Sequence, residues 1–136
     1  KVHQASRKDT IKAYEPEAKL DILYNMGETD LTTLFDPSFL EKEDKYSYFT
    51  GGNQAIIQIS GGEKNGKTLL VIKDSFANCM IPFLAEDYEN LIVVDLRQLN
   101  IGCRALIDSF APTDVLILYN TAQFAQDRDF SLKCKY

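Results

Sequence analysis

From residue 54 onward the chain alternates short apolar runs with polar punctuation. "QAIIQIS" (54–60) and "KTLLVIK" (67–73) are aliphatic stretches of strand length, parted by a Gly- and Asn-rich segment suited to a hairpin turn. "FANCMIPFLAEDYE" (76–89) has helical apolar spacing, with Pro82 placed to kink the helix or end it early. "LIVVDLR" (91–97) is a continuous apolar run of the kind that forms a strand buried on both faces. "GCRALIDSFA" (102–111) returns to helical spacing, "DVLILYN" (114–120) reads as another buried strand, and "TAQFAQD" (121–127) opens a further helix. Residues 67–127 therefore spell β-α-β-α-β-α with short connections. That order predicts an α/β fold: a three-layer, doubly wound, mostly parallel sheet of flavodoxin-like type, with an extra hairpin strand in front of it.

The first 53 residues are less regular. A short helix is expected near His3–Tyr14, followed by the alternating stretch "AKLDILYNM" and a turn-rich segment from Gly27 to Gly52, punctuated by Pro37 and Gly51-Gly52-Asn53. The whole reads as one domain, residues 1–136, with an irregular part at 1–53 and a regular core at 54–127. With 45% hydrophobic residues, 8 Phe and 7 Tyr, the chain can build a core. A net charge of -5 without basic clusters points away from nucleic acid and anionic membranes. No apolar run approaches the roughly 20 residues of a membrane span. No signal-peptide pattern stands at Lys1, and the chain begins without Met, as a piece of a longer protein would. Cys79, Cys103 and Cys134 fit neither a disulfide framework nor a zinc site. Cys79 and Cys103 lie in apolar helical contexts, where a cysteine usually serves as a small buried hydrophobe. The sequence leaves open whether one pair is bridged. No metal or cofactor is expected.

Gly61–Thr68, "GGEKNGKT", satisfies the phosphate-loop pattern G-x-x-x-x-G-K-[ST]. A working loop needs a helix after it, so that backbone N–H groups point at the phosphates. Here Leu69, Leu70, Val71 and Ile72 follow, a poor helix start and a good buried strand. The turn reading is the better one.

In an open parallel sheet, ligands bind beyond the carboxyl ends of the strands. Those ends carry Asp74 and Ser75, then Asp95 and Arg97, then Tyr119 and Asn120. A hydroxyl, a guanidinium and a carboxamide thus reach one edge from three segments. Ser75, at a strand-to-helix turn, is a candidate nucleophile, and its own N–H a candidate oxyanion donor. Asp74, Arg97 and Asn120 are candidates for oxyanion or substrate contacts. Each also has a plainer role: Ser and Asp as helix caps, Arg as a surface ion pair, Asn as a turn residue. A serine nucleophile needs a base, and the single histidine, His3, has no carboxylate partner nearby in sequence.

The segment "GKTLLVIKDSFANCMIPFLAEDYENLIVVDLRQLN", together with "KYSYFTGGNQAIIQI" and "DVLILYN", resembles the DHHW family of bacterial, mainly Firmicutes, envelope proteins. That family is similar to the SGNH (GDSL-type) esterases and acetyltransferases, including alginate O-acetyltransferase-like proteins. The resemblance implies an SGNH-like fold, and it implies that Ser75 stands at the nucleophile position. Lys73 stands where the superfamily's first block carries Gly. The family's D-H-H-W segment, which supplies the Asp and His in relatives, is absent from these 136 residues. The resemblance further implies an extracytoplasmic location, an acylated cell-envelope glycan as partner, and esterase or O-acetyltransferase chemistry completed by a His–Asp pair from outside this chain. The rival expectation is a binding or interaction domain that keeps the fold without the chemistry. A phospho-receiver reading would need an acidic pair and a later Lys that Asp74 and Asp95 do not complete.

Overall fold

A computed structural model describes residues 12–28 and 31–135. The helix expected at 3–14 lies, for residues 3–11, outside the described residues; Lys12 to Tyr14 belong to no helix. Five strands form one mixed sheet: β1 (Asp21–Tyr24), β2 (Ile56–Ser60), β3 (Thr68–Lys73), β4 (Asn90–Val94) and β5 (Asp114–Leu118). Their spatial order is β1-β2-β4-β3-β5. β4, β3 and β5 run parallel, whereas β1 and β2 are joined antiparallel to each other and to β4. Among the described residues, four α-helices accompany them: α1 (Ile81–Asp87), α2 (Cys103–Phe110), α3 (Thr121–Gln126) and α4 (Arg128–Lys133).

The sheet has a packed layer on each face, as the period-2 alternation of strand side chains requires. Ile57, Ile59, Leu69, Val71, Leu91 and Val93 meet Ile81 and Ala85 of α1 together with Tyr24, Leu34, Phe35 and Phe49. Ile56, Leu70, Ile72, Ile92 and Val94 meet Cys103 and Leu106 of α2 on the other face. The chain steps from β3 inward to β4 through α1, then returns past β3 to the edge strand β5 through α2. With crossovers of one hand, that reversal puts the two helices on opposite faces.

Three expectations are corrected. The sheet is mixed rather than mostly parallel, since two of its four strand pairings are antiparallel. β2 and β3 do not form a hairpin, because β4 lies between them. β4, aliphatic on both faces, takes the centre, with β3 on one side of it and β2, which carries half-buried Gln58 and Ser60, on the other. Gly61 and Gly62 of the connecting loop serve close approach. A Cβ on Gly62 would lie 2.3 Å from the carbonyl oxygens of Ala85 and Tyr88, and Glu63 N–H donates to Glu86 O. Thr68 begins a strand, so no helix follows the phosphate-loop pattern. Finally, β5 is an edge strand rather than a strand buried on both faces: Val115 and Ile117 are each 50% exposed.

The expected helix at 76–89 divides in two. A 3-10 helix, Ser75–Met80, leads into α1, and Pro82 sits in the first turn of α1, where its missing N–H costs nothing. Tyr14 stacks on Phe83 of α1 with ring centroids 4.8 Å apart. Cys103 is buried as expected and is also bridged to Cys134, which pins α2 to the end of α4. Cys79 is free.

Candidate active site

The carboxyl ends of β4, β3 and β5 lie along one edge of the sheet, and the direction of winding reverses between β3 and β5. That reversal is where open α/β sheets leave a crevice. At the exit of β3, Asp74 is extended (φ -100°, ψ -177°) and its Oδ1 accepts from Phe76 N at 3.0 Å, capping the 3-10 helix. Its Oδ2 accepts from Asn120 N at 2.9 Å. One wholly buried carboxylate therefore ties the end of β3 to the end of β5. Ser75 follows as the first residue of the 3-10 helix, half-buried, and its hydroxyl bonds to no described residue.

At the exit of β4, Asp95 is wholly buried and Arg97 folds back over it. Arg97 donates from its backbone N (3.1 Å) and Nε (2.9 Å) to Oδ1, and from Nη2 (2.6 Å) to Oδ2. This fork leaves the Arg97 side chain 26% exposed, and the Asp95 carboxylate raises its pKa further above the ordinary value. At the exit of β5, Asn120 Oδ1 accepts from Ala122 N (3.0 Å) and Gln123 N (3.4 Å) as the N-cap of α3. Only its Nδ2 remains as a donor. Tyr119 packs edge-on against Phe124 and Phe130, with centroids 5.7 and 5.9 Å away.

The last residue of β3, Lys73, is wholly buried, and its Nζ has no hydrogen-bond partner among the described residues. Burial pushes its pKa down to about 8; Asp95 and Asp74 oppose the shift, and Arg97 adds to it. Asn78, on the 3-10 helix and 1% exposed, reaches Gly52 O and Asn53 Oδ1, each at 3.5 Å. This joins the 50–53 turn to the same edge.

A cavity of about 150 Å³ lies at the reversal point, lined by Asp74, Phe76, Ala77, Met80, Leu118, Tyr119 and Asn120. Ser75 is not part of its wall. Small-molecule sites usually measure about 300–1,000 Å³, so this space admits a substituent and not a whole ligand. A larger hollow of about 540 Å³ includes Thr68 and Asn90, at the opposite ends of the strands and away from the charged cluster.

Ser75, Asp74, Arg97 and Asn120 thus share one edge, as their positions in sequence predict, with different duties. Asp74 has both oxygens taken by backbone N–H groups, and a carboxylate adds no donor to an oxyanion. Arg97 spends its fork on Asp95. What sequence reasoning missed is the burial of Lys73, the partnership of Asp95 and the tie through Asn78. A charged residue closing an aliphatic run, directly before Asp-Ser, was the available signal for Lys73. Among the described residues, no cluster of three or more His, Cys, Asp or Glu is placed to hold a metal ion, and no helix is long and apolar enough to cross a membrane.

Fold and edge together define an α/β domain with a serine-bearing elbow at the reversal of its sheet. The family described as "DHHW protein" matches residues 2–94, and the chain belongs to that family. The chain is similar to the crystal structure of a DHHW family protein from Eubacterium siraeum, with 26% identity and a TM-score of 0.77 over 89% of this chain. It spans 42% of that protein's length. It is also similar to Bacillus cereus PatB1, solved with a sulfonyl adduct, with 29% identity and a TM-score of 0.56 over 64% of this chain and 29% of PatB1. A second PatB1 structure gives 28% and 0.53 over 57% and 26%. No curated protein matches the chain.

Proposed function

We propose that the chain is an SGNH-like acyl-transfer module of a bacterial envelope protein, acting as an esterase or O-acetyltransferase on a glycan-linked acyl group. Ser75 Oγ attacks the acyl carbon and loses its proton to a base; the ester C–O bond breaks, and the alcohol leaves with a proton. Water or an acceptor hydroxyl then attacks the acyl-serine and gives up its proton, the acyl C–Oγ bond breaks, and Ser75 Oγ regains a proton. The base is supplied by a His–Asp pair outside these 136 residues. Ser75 N–H and Asn120 Nδ2 are the oxyanion donors in this reading, and Arg97, anchored by Asp95, flanks the substrate. Asp74 holds the elbow.

The observation that carries the reading is the half-buried hydroxyl of Ser75, bonded to no described residue, at a capped strand-to-helix elbow. Membership in the DHHW family supports it, as does the likeness to PatB1, since a sulfonyl adduct needs a nucleophilic side chain to form on. The Cys103–Cys134 bridge supports an extracytoplasmic site, where disulfides persist. A fluorophosphonate probe on the longer protein that contains this chain tests the proposal. Labelling that Ser75→Ala abolishes is expected; no labelling, or labelling that survives the substitution, overturns it.

The second reading is a binding domain with the same fold. The single histidine of these 136 residues, His3, has no Asp two residues before it, which favours this reading for the chain taken alone.

A further inference from the structure

Four charged groups stand at the strand exits: Asp74 and Asp95 are anionic, Lys73 and Arg97 cationic. Three of them are wholly buried, and Arg97 is mostly covered. Their formal charges cancel. Hydrogen bonding does not account for the set, because Asp74 is satisfied by two backbone N–H groups and Asp95 by Arg97, while the Lys73 ammonium bonds to no described residue. An unpaired lysine so deep in a small domain is costly, and a methionine would fill the space without that cost. Its charge must therefore act at longer range than a hydrogen bond.

We propose that Lys73 is a positioning residue for the serine elbow: its buried ammonium balances the carboxylates of Asp74 and Asp95, and so keeps the exits of β3, β4 and β5 in one register around Ser75. This rests on the reading of Ser75 as the reacting hydroxyl and adds a controlling charge to the same site. The charges that the ammonium feels are those of Asp95 and Arg97 at the exit of β4 and of Asp74, the next residue along its own chain segment. Tyr46, from the neighbouring 3-10 helix Lys45–Tyr48, donates to Phe76 O at 2.8 Å and feels the Asp74 charge. Without the ammonium the cluster carries a net negative charge. The carboxylate that ties Asn120 N–H to Phe76 N–H is then the one with no side-chain cation of its own. When that tie slackens, the β5 exit moves relative to Ser75.

The backbone amides of Phe76 and Asn120 report the tie directly, because both donate to Asp74. In the 136-residue chain their proton resonances are expected to titrate together with a midpoint of about 8, where Lys73 loses its proton. In Lys73→Met the two resonances stay flat with pH, and in Lys73→Arg they stay flat at the wild-type low-pH positions. Absence of the titration in wild type overturns the proposal, as does its persistence in either variant. If Lys73→Met does not fold, wild type and Lys73→Arg carry the test.

In the longer protein, Lys73→Met is expected to slow fluorophosphonate labelling of Ser75 at neutral pH by about tenfold or more, a modest displacement being enough to do so. Lys73→Arg is expected to restore it. Labelling unaffected by Lys73→Met overturns the positioning role. A wild-type Ser75 that never labels overturns the serine reading instead, and the amide titration separates the two failures.

Discussion

Asp74→Ala is the sharpest test of how the edge is held. The substitution removes the acceptor for two backbone N–H groups, Phe76 at 3.0 Å and Asn120 at 2.9 Å, in a residue with no exposed surface. Each donor left without a partner costs about 1–3 kcal/mol. Lys73 and Arg97 are then left with a single carboxylate, which adds to the cost. The two donors alone come to about 2–6 kcal/mol, a large share of the roughly 5–15 kcal/mol that holds a typical domain folded. Asp74→Asn keeps one acceptor oxygen but turns an amide group toward the other N–H, and is expected to lose about half as much. Urea unfolding at neutral pH, followed by far-ultraviolet circular dichroism and tyrosine fluorescence, measures both; the chain has no Trp. With a slope of about 2 kcal/mol per molar, Asp74→Ala lowers the midpoint by about 2 M. Ser75→Ala, at the adjacent position, changes it by less than about 0.5 kcal/mol, because its hydroxyl has no partner among the described residues to lose. A loss below about 1 kcal/mol for Asp74→Ala would refute the idea that this carboxylate joins β3 to β5.

Stability is expected to rise between pH 8 and about 9.5. Lys73 sheds its proton near 8 when folded and near its ordinary 10.5 when unfolded, a gap worth at most about 3 kcal/mol, and Lys73→Met removes the rise. Above pH 10 the sign reverses, because burial keeps Tyr24 and Tyr119 protonated in the folded chain and their contribution fades as the pH climbs; unfolding titrations at stepped pH show both limbs. Reducing the Cys103–Cys134 bridge, which closes a separation of 31 residues, costs about 3–4 kcal/mol on the chain-entropy account, read as the difference in urea midpoint with and without reductant. Leu70→Ala, at a fully buried position of β3, costs about 2–5 kcal/mol in the same assay. Asp108→Ala, which breaks the exposed pair with Arg104 on α2, costs no more than about 0.5 kcal/mol.

Much of the α/β core was legible because its runs are long enough to show their period. The strands β3 and β4 and the helix α2 lie where the aliphatic runs and the 3.6-residue spacing place them. Neighbourhood in space was not legible. A Gly-rich loop between two strands reads as a hairpin, but the close approach of Gly62 to α1 carries the chain past one strand position, and β4 enters the gap. The burial of β5 was overestimated for a related reason. "DVLIL" is as apolar as "LIVV", and composition alone does not tell a central strand from an edge strand. At the site, the convergence of Ser75, Asp74, Arg97 and Asn120 followed from strand direction alone. Their duties did not, because the Asp95–Arg97 fork, the Asp74–Asn120 bond and the unpaired Lys73 arise from pairings 2 to 46 residues apart that no local pattern encodes.

The outer rim of β5 has a consequence for whatever surrounds this domain. Its backbone presents a row of amide and carbonyl groups, with Val115 and Ile117 standing half out of one face and neither proline nor lysine within Asp114–Leu118 to deter company. A concentrated solution of the bare chain should therefore self-associate through this rim. Any polypeptide laid against it would run about 4.8 Å from β5, the ordinary spacing between paired strands. If parallel to β5, it would run toward Asn120, two strand spacings, roughly 10 Å, from the strand that leads into the serine elbow.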